Sequence, residues 1–175
     1  MPHREVFALD AAQTEAWLPE MAELLHACVH GGASIHFVQP FTLEQATAFW
    51  RDSTLPGVAG GGRVLLAALV NGELAGSAQL DCGTPPNQPH RAEVCKLLVH
   101  PDYRRQGVAR ALMAELEAQA RLRKRSLLTL DTASGDHAEP LYLSLGYQEA
   151  GRIPGYAWDG RGEKLQATTL MYKTL

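Results

Sequence analysis

At 175 residues, with 46% hydrophobic and 20% charged side chains, the chain suits a single domain, 1–175, with a sizeable core. Its net charge of −3 excludes the broad basic excess of a nucleic-acid binder, and its longest aliphatic run, 64–70, is too short to cross a bilayer. Three widely spaced cysteines, Cys28, Cys82 and Cys95, imply reduced thiols in a cytoplasmic setting. No metal-ligand spacing joins them to the seven histidines, and MPHREVFALD lacks the apolar core of a signal peptide.

The first predicted element is a helix over 13–30, where Trp17, Met21, Leu24, Leu25 and Cys28 recur at helical spacing and a glycine pair ends the run. A second helix is predicted from Thr42, an N-cap with Gln45 three residues on, toward Trp50. Pro56 and the glycines at 60–62 then mark a flexible connection. The apolar runs 63–70 and 73–80 flank Asn71-Gly72 and predict an antiparallel hairpin on a type I′ turn. A Pro- and Gly-rich loop at 83–89 leads to a strand over 92–99.

After a basic turn, Val108, Leu112, Leu116 and Ala120 form one helical stripe. Glu117 and Arg121 are expected to pair on the exposed face, and the cations at 121–125 suit the helix C-terminus. A strand over 126–132 follows, which makes strand 92–99, helix and strand 126–132 a parallel βαβ unit. Asp136 and Glu139 read as a capping box for a helix carrying Leu141, Tyr142 and Leu145, with Pro140 expected to cost it one backbone bond. Strands over 147–153 and 168–173 enclose a last loop. The fold class predicted is α+β: a mixed, mostly antiparallel sheet with a central parallel βαβ unit and flanking helices.

One stretch carries chemistry. In LLVHPDYRRQGVA, 97–109, an apolar strand enters a basic turn with one glycine, and a helix starts there. A helix start presents unpaired N–H groups and the positive end of a dipole, so it binds anions, and Arg104, Arg105 and Arg110 add formal charge. Gly107 lacks a Cβ, so its backbone can approach a bulky pyrophosphate, and Ala109 keeps the next position small. Neither a Walker ending nor G-x-G-x-x-G is present.

R-x-x-G-x-A at 104–109 resembles the acyl-CoA pyrophosphate loop of the GNAT N-acetyltransferases. KLLVHPDYRRQGVARALM resembles that superfamily's central motif, and AEPLYLSLGY at 138–147 its later helix, with Gly135 where an asparagine is usual. HGGASIHF, RAEVCKLLVHP, LLTLDT, PGYAWDGRG and the terminal KTL look like the tabtoxin-resistance acetyltransferase, which acetylates a β-lactam-containing amino acid toxin. The resemblance implies acetyl-CoA as cosubstrate, no metal, and a small-molecule amine acceptor, with the protein a monomer or homodimer. Leu97, Leu98 and Val99 would hold the pantetheine arm. Arg104, Arg105, Gln106, Gly107, Val108, Ala109 and Arg110 would hold the pyrophosphate.

Acetyl transfer to an amine needs a base, because an amine of pKa about 10.4 is only about one part in 10³ neutral at pH 7. Glu93, directly or through a water, is the first candidate and Asp131 the second. Tyr142 matches the family's general acid, whereas Cys95 reads as a small buried residue. His30, Ser34, His36, Tyr156 and Trp158 are the expected acceptor contacts. Two alternatives stand beside a toxin-like acceptor. One is another amine (an aminoglycoside, a polyamine or a protein N-terminus), and the other is a non-catalytic acyl-CoA sensor.

Overall fold

The computed structural model describes residues 3–175, and among these the chain forms one mixed sheet of seven strands, ordered β1-β2-β3-β4-β5-β7-β6. The strands are β1 Arg4–Leu9, β2 Arg63–Val70, β3 Glu73–Asp81, β4 Arg91–Val99, β5 Leu127–Ala133, β6 Gln148–Trp158 and β7 Leu165–Thr174. Every pairing is antiparallel except β4 with β5. The expected fold class is the observed one.

Successive side chains of β2 enter two different cores, so that both faces of the sheet are covered. Val64, Leu66, Ala68 and Val70 join the core under α5 (Val108–Leu122), whereas Leu65 and Ala67 join the core under the N-terminal helices. A strand buried on both faces reads as one continuous apolar run, which is why RVLLAALV shows no polar alternation. The Asn71-Gly72 turn has φ of 52° and 87°, as a type I′ turn requires.

The N-terminal half departs from expectation in three places. REVFAL forms an edge strand on β2 that the sequence reading missed. The helix expected over 13–30 is two, α1 Ala11–Ala16 and α2 Leu18–His30, broken at Trp17 just before Pro19, which suits the first turn of α2. The second helix, α3 Leu43–Phe49, is opened by the predicted Thr42–Gln45 capping box, but the chain does not loop out at Trp50. It passes through a π-helical turn, Trp50–Thr54, into α4 Leu55–Ala59. Pro56, the second residue of α4, has no N–H to give, and the last N–H before it, that of Leu55, donates to the Trp50 carbonyl. Trp50 is fully buried, and its indole N–H donates to the Met21 carbonyl at 2.8 Å.

The C-terminal half needs corrections too. Glu117 is buried rather than exposed. Its carboxylate receives Lys173 Nζ at 2.7 and 2.8 Å, with Arg121 farther off at 3.7 Å. Asp136 does not cap α6 (Ala138–Ser144), whose N-cap is His137 without a side-chain bond. Instead Glu139 accepts from the Gly135 N–H at 2.8 Å and from Arg152 at 2.6 Å, bracing the loop before the helix. Pro140 costs no bond, because it is the third residue of α6 and its N–H would have had no partner. The expected last loop is partly strand: β6 runs through Pro154, Gly155 and Tyr156 to Trp158, with a register shift between Ile153 and Ala157.

Candidate active site

The site begins with a defect in β4. From Gln79 to Ser77, β3 advances two residues while β4 advances three, from Cys95 to Leu98. The extra residue is a β-bulge, and Lys96 within it has φ 51°. β4 and β5 pair only where Arg91–Glu93 face Leu127–Thr129, although β5 continues beside β7 to Ala133. The two strands therefore diverge, and from Val94 to Val99 that edge of β4 has no strand partner. Leu97, Leu98 and Val99 lie on this free stretch. Leu98 is anchored in the core beneath the N-terminal helices, and Leu97 and Val99 pack on the opposite core.

Beyond Val99 the chain makes a short 3-10 turn, Pro101–Tyr103, and reaches the loop that opens α5. Gly107 is the N-cap with φ 78°, and no acidic side chain sits in the first turn of α5. The positive end of a 15-residue helix is thus left uncompensated. Gln106 donates from its side chain to the Asp102 carbonyl at 3.0 Å, and Val108 is buried. The three predicted arginines are not equivalent. Arg104 donates to the Gly31 carbonyl at 3.3 Å, at the C-terminal end of α2, and Arg110 to Ser144 Oγ at 2.9 Å. Arg105 has a positive φ of 63°. A fourth arginine was not foreseen: Arg4 of β1 donates to the Gln106 carbonyl.

A polar cleft of about 30 Å³ lies beside the diverging strands, lined by Ser34, His36, Asp131, Tyr156, Gln166 and Thr168 among others. The segment after α2 and the β6–β7 hairpin meet there, and the Gln39 N–H donates to the Gly160 carbonyl at 2.9 Å. Asp131 accepts from the Thr168 hydroxyl at 3.0 Å, and His36 Nε2 stands 3.8 Å from its carboxylate. His36, then Thr168, and Lys96 by charge hold the Asp131 carboxyl below the usual carboxylate range, against burial that opposes them. On its other side His36 Nδ1 lies 3.1 Å from Lys96 Nζ, and the Lys96 ammonium also stands over the Phe37 and Phe49 rings at 5.6 and 5.7 Å. Burial pushes the Lys96 ammonium below its usual pKa.

The sequence-predicted residues divide accordingly. Ser34, His36, Asp131 and Tyr156 line one cleft. His30 is exposed on α2, stacked on His26 at 4.2 Å, and Trp158, 55% exposed, does not line the cleft. Glu93 sits where β4 and β5 still pair, 3.7 Å from Arg91, which in turn donates to Thr129. Tyr142 is buried, and burial followed by the Asp131 charge raises its pKa, so the phenol keeps its proton. Burial also pushes the Cys95 thiol up to about 11, which leaves it inert as a nucleophile at neutral pH.

A free strand edge here runs into a helix start without acidic residues. The model of the acetyltransferase (GNAT) family matches residues 18–147. The chain belongs to the GNAT acetyltransferase family. As a GNAT N-acetyltransferase it is an acyltransferase, and its fold recurs across many solved structures. Ribosomal-protein-alanine N-acetyltransferase from Brucella melitensis is 24% identical, with TM-score 0.77 over 98% of this chain and 99% of that one. The yncA protein of Salmonella typhimurium, solved with its cofactor acetyl-CoA, is 20% identical, with TM-score 0.76 over 98% and 94%. Aminoglycoside 6'-acetyltransferase type Ii is 19% identical, with TM-score 0.70 over 97% and 96%.

Among the described residues, no cluster of three or more metal-ligating side chains occurs, and no helix is long and apolar enough to cross a membrane. The residues that sequence reasoning missed are Lys96 and Arg4. A lysine inside the otherwise apolar CKLLV was the available signal for the bulge. REVFAL carried none for the place of Arg4.

Proposed function

We propose that this acetyltransferase moves the acetyl group of acetyl-CoA directly to the primary amine of a small molecule. The observation carrying the proposal is the unpartnered edge of β4, which ends at a helix start without acidic residues and lies next to β5, whose Asp131 lines the polar cleft. The residues fit such a cosubstrate. Backbone N–H groups from Arg105 to Ala109 and the arginines around them suit a diphosphate, and Leu97–Val99 suit the extended arm that follows it. Acetyl-CoA supplies an activated acyl carbon on a thiolate leaving group.

The chain's own residues supply the rest. Tyr142, protonated at any working pH, donates a hydrogen bond toward the departing sulfur. The carboxylates of Glu93 and Asp131 favour a bound ammonium by their charge. Ser34, His36 and Tyr156 orient the acceptor. The resemblance to the tabtoxin-resistance acetyltransferase favours an acceptor that resembles an amino acid, and so a role in toxin or antibiotic resistance. Two of the similar structures carry names with other acceptors, a ribosomal-protein alanine and an aminoglycoside, and these classes belong in the same screen.

The test is release of free CoA thiol from acetyl-CoA over a panel of amines: amino acids and amino acid-like β-lactams, aminoglycosides, polyamines and an alanine-initiated peptide. Turnover with a small amine is the expected result. A chain that binds acetyl-CoA and turns over with none of them is a sensor rather than an enzyme.

A further inference from the structure

His36 is held in a way that a mere lining residue does not require. Its φ of 72° lies in the left-handed region, where a side chain costs conformational energy, and strain of this kind collects at functional sites. Its ring bridges two oppositely charged groups. Lys96 Nζ is 3.1 Å from Nδ1, and Asp131 Oδ2 is 3.8 Å from Nε2. An ammonium has only protons to give, so Nδ1 must accept, and a neutral ring then carries its proton on Nε2, facing the carboxylate. Asp131 is itself fixed by the Thr168 hydroxyl. A carboxylate on one ring nitrogen with a lone pair on the other is the arrangement that makes an imidazole a base.

The second observation concerns what occupies that lone pair. Lys96 has no carboxylate within ion-pair distance among the described residues, and it is packed against Phe37 and Phe49. Its ammonium stands where an amine held for deprotonation would stand. His36 also lines both the polar cleft and a broad groove of about 500 Å³ walled by Phe37, Phe41 and Phe49, so an acceptor in either reaches its ring. Glu93 is less well placed, being paired with Arg91 at the closed end of the strands.

We propose that His36 takes the proton from the acceptor amine, that Asp131 orients its ring, and that Lys96 holds Nδ1 until the acceptor's ammonium displaces it. The proposal rests on the N-acetyltransferase reading above. In the step, one N–H bond of the ammonium breaks and its electron pair stays on nitrogen. The proton joins Nδ1, and the imidazolium is stabilised by the Asp131 carboxylate. The amine pair then forms the bond to the acetyl carbon as the C–S bond breaks with its pair left on sulfur; the acylated nitrogen gives up its extra proton, which goes to the thiolate, to which Tyr142 donates a hydrogen bond. The His36 ring is 58% exposed, so its proton returns to water.

The charged and titratable groups facing His36 are Lys96 from β4, Asp131 from β5, Tyr156 from β6 and Asp52 across the groove. Arg63 and Glu93 act on Lys96 from farther off. Their signs fix the test, which is the pH dependence of kcat/KM for the full chain with acetyl-CoA and whichever of L-lysine, spermidine, kanamycin or an alanine-initiated peptide turns over. The parent shows an acid limb, where protonation of the base ends turnover. His36→Asn, chosen because asparagine tolerates a positive φ, loses that limb, and its kcat/KM at pH 7 falls about 100-fold or more, with partial rescue by free imidazole.

Lys96→Met removes a cation beside the ring and moves the limb to higher pH, whereas Asp131→Asn removes the stabilising charge and moves it lower. Acetyl-CoA affinity of His36→Asn matching the parent shows that the variant is folded. An unchanged limb in His36→Asn, or a limb in Lys96→Met that stays put or moves lower, overturns the proposal while the parent's turnover upholds the reading of function. A parent inert with these four amines and with every amine of the wider panel overturns both.

Discussion

Gly107 offers the sharpest test of where the cosubstrate's diphosphate rests. Its φ of 78° costs a residue with a Cβ about 1–2 kcal/mol. At 1.4 kcal/mol per factor of ten, this amounts to about a 5- to 30-fold change in an equilibrium. A Cβ built there meets nothing nearer than the Arg4 guanidinium at 3.5 Å, an ordinary contact, so the penalty is conformational rather than steric. Gly107→Ala therefore has two outlets. If the loop stays in place, the strain appears as lost stability. If the loop relaxes, its N–H groups turn away and acetyl-CoA affinity falls by that factor. Titration calorimetry together with thermal unfolding should find the two losses summing to about 1–2 kcal/mol. Gly107→Asn, bulkier yet more tolerant of this φ, should lose less than Gly107→Ala. Asparagine costing more than alanine would refute the conformational argument. Full affinity and full stability in both variants would remove this loop as the phosphate site.

Three further outcomes are expected. In Gly76→Ala the new Cβ would lie 2.6 Å from the Leu98 carbonyl oxygen and 2.9 Å from Val108, so β4 or α5 must shift. Overpacking of this kind costs about 1–3 kcal/mol, and melting temperature should drop while the KM for acetyl-CoA rises. Tyr142→Phe deletes a hydrogen bond to developing charge, worth about 1.5–3 kcal/mol, so kcat should fall about 10- to 100-fold with acetyl-CoA affinity unchanged, as steady-state kinetics and calorimetry would report. Lys173→Met leaves the Glu117 carboxylate buried with Arg121 alone at 3.7 Å. Denaturant unfolding should show a loss of about 3–5 kcal/mol, largely recovered when Glu117→Leu is added.

The legible parts of this chain were those fixed by local chemistry. Asn71-Gly72 announces its turn, Thr42 and Gln45 their cap, and the 108–120 stripe its helix, because each depends on residues a few positions apart. The glycine-opened start of α5 was readable for the same reason. What stayed hidden depends on partners distant in sequence. Glu117 looked solvent-facing until Lys173, 56 residues on, arrived beside it. Glu139 looked like half of a capping box, yet Arg152 and Thr169 claim its carboxylate from the neighbouring hairpin. His36 and Asp131 were each nameable as candidates, but nothing local says that they face one another or that a lysine stands between His36 and the apolar groove. REVFAL was invisible as a strand because its partner, β2, lies about 60 residues away.

The bulge at Lys96 lies between the proposed cosubstrate side of the site and its proposed acceptor side. One extra residue in β4 lies where two features of the site meet. The parallel ladder with β5 stops after Glu93, just before the bulge, so the irregular stretch sits on the freed edge of backbone. Within it the side chain is turned out of the regular alternation, and Lys96 reaches His36 and the Phe37 and Phe49 rings. Without that turn the His36–Asp131 pair would have no cation on its other nitrogen. The freed edge and the Lys96–His36 contact thus meet on one short stretch of β4, 94–99. The chemistry needs that coupling, since an amine that has lost its proton must find the acyl carbon within reach before water returns the proton to it.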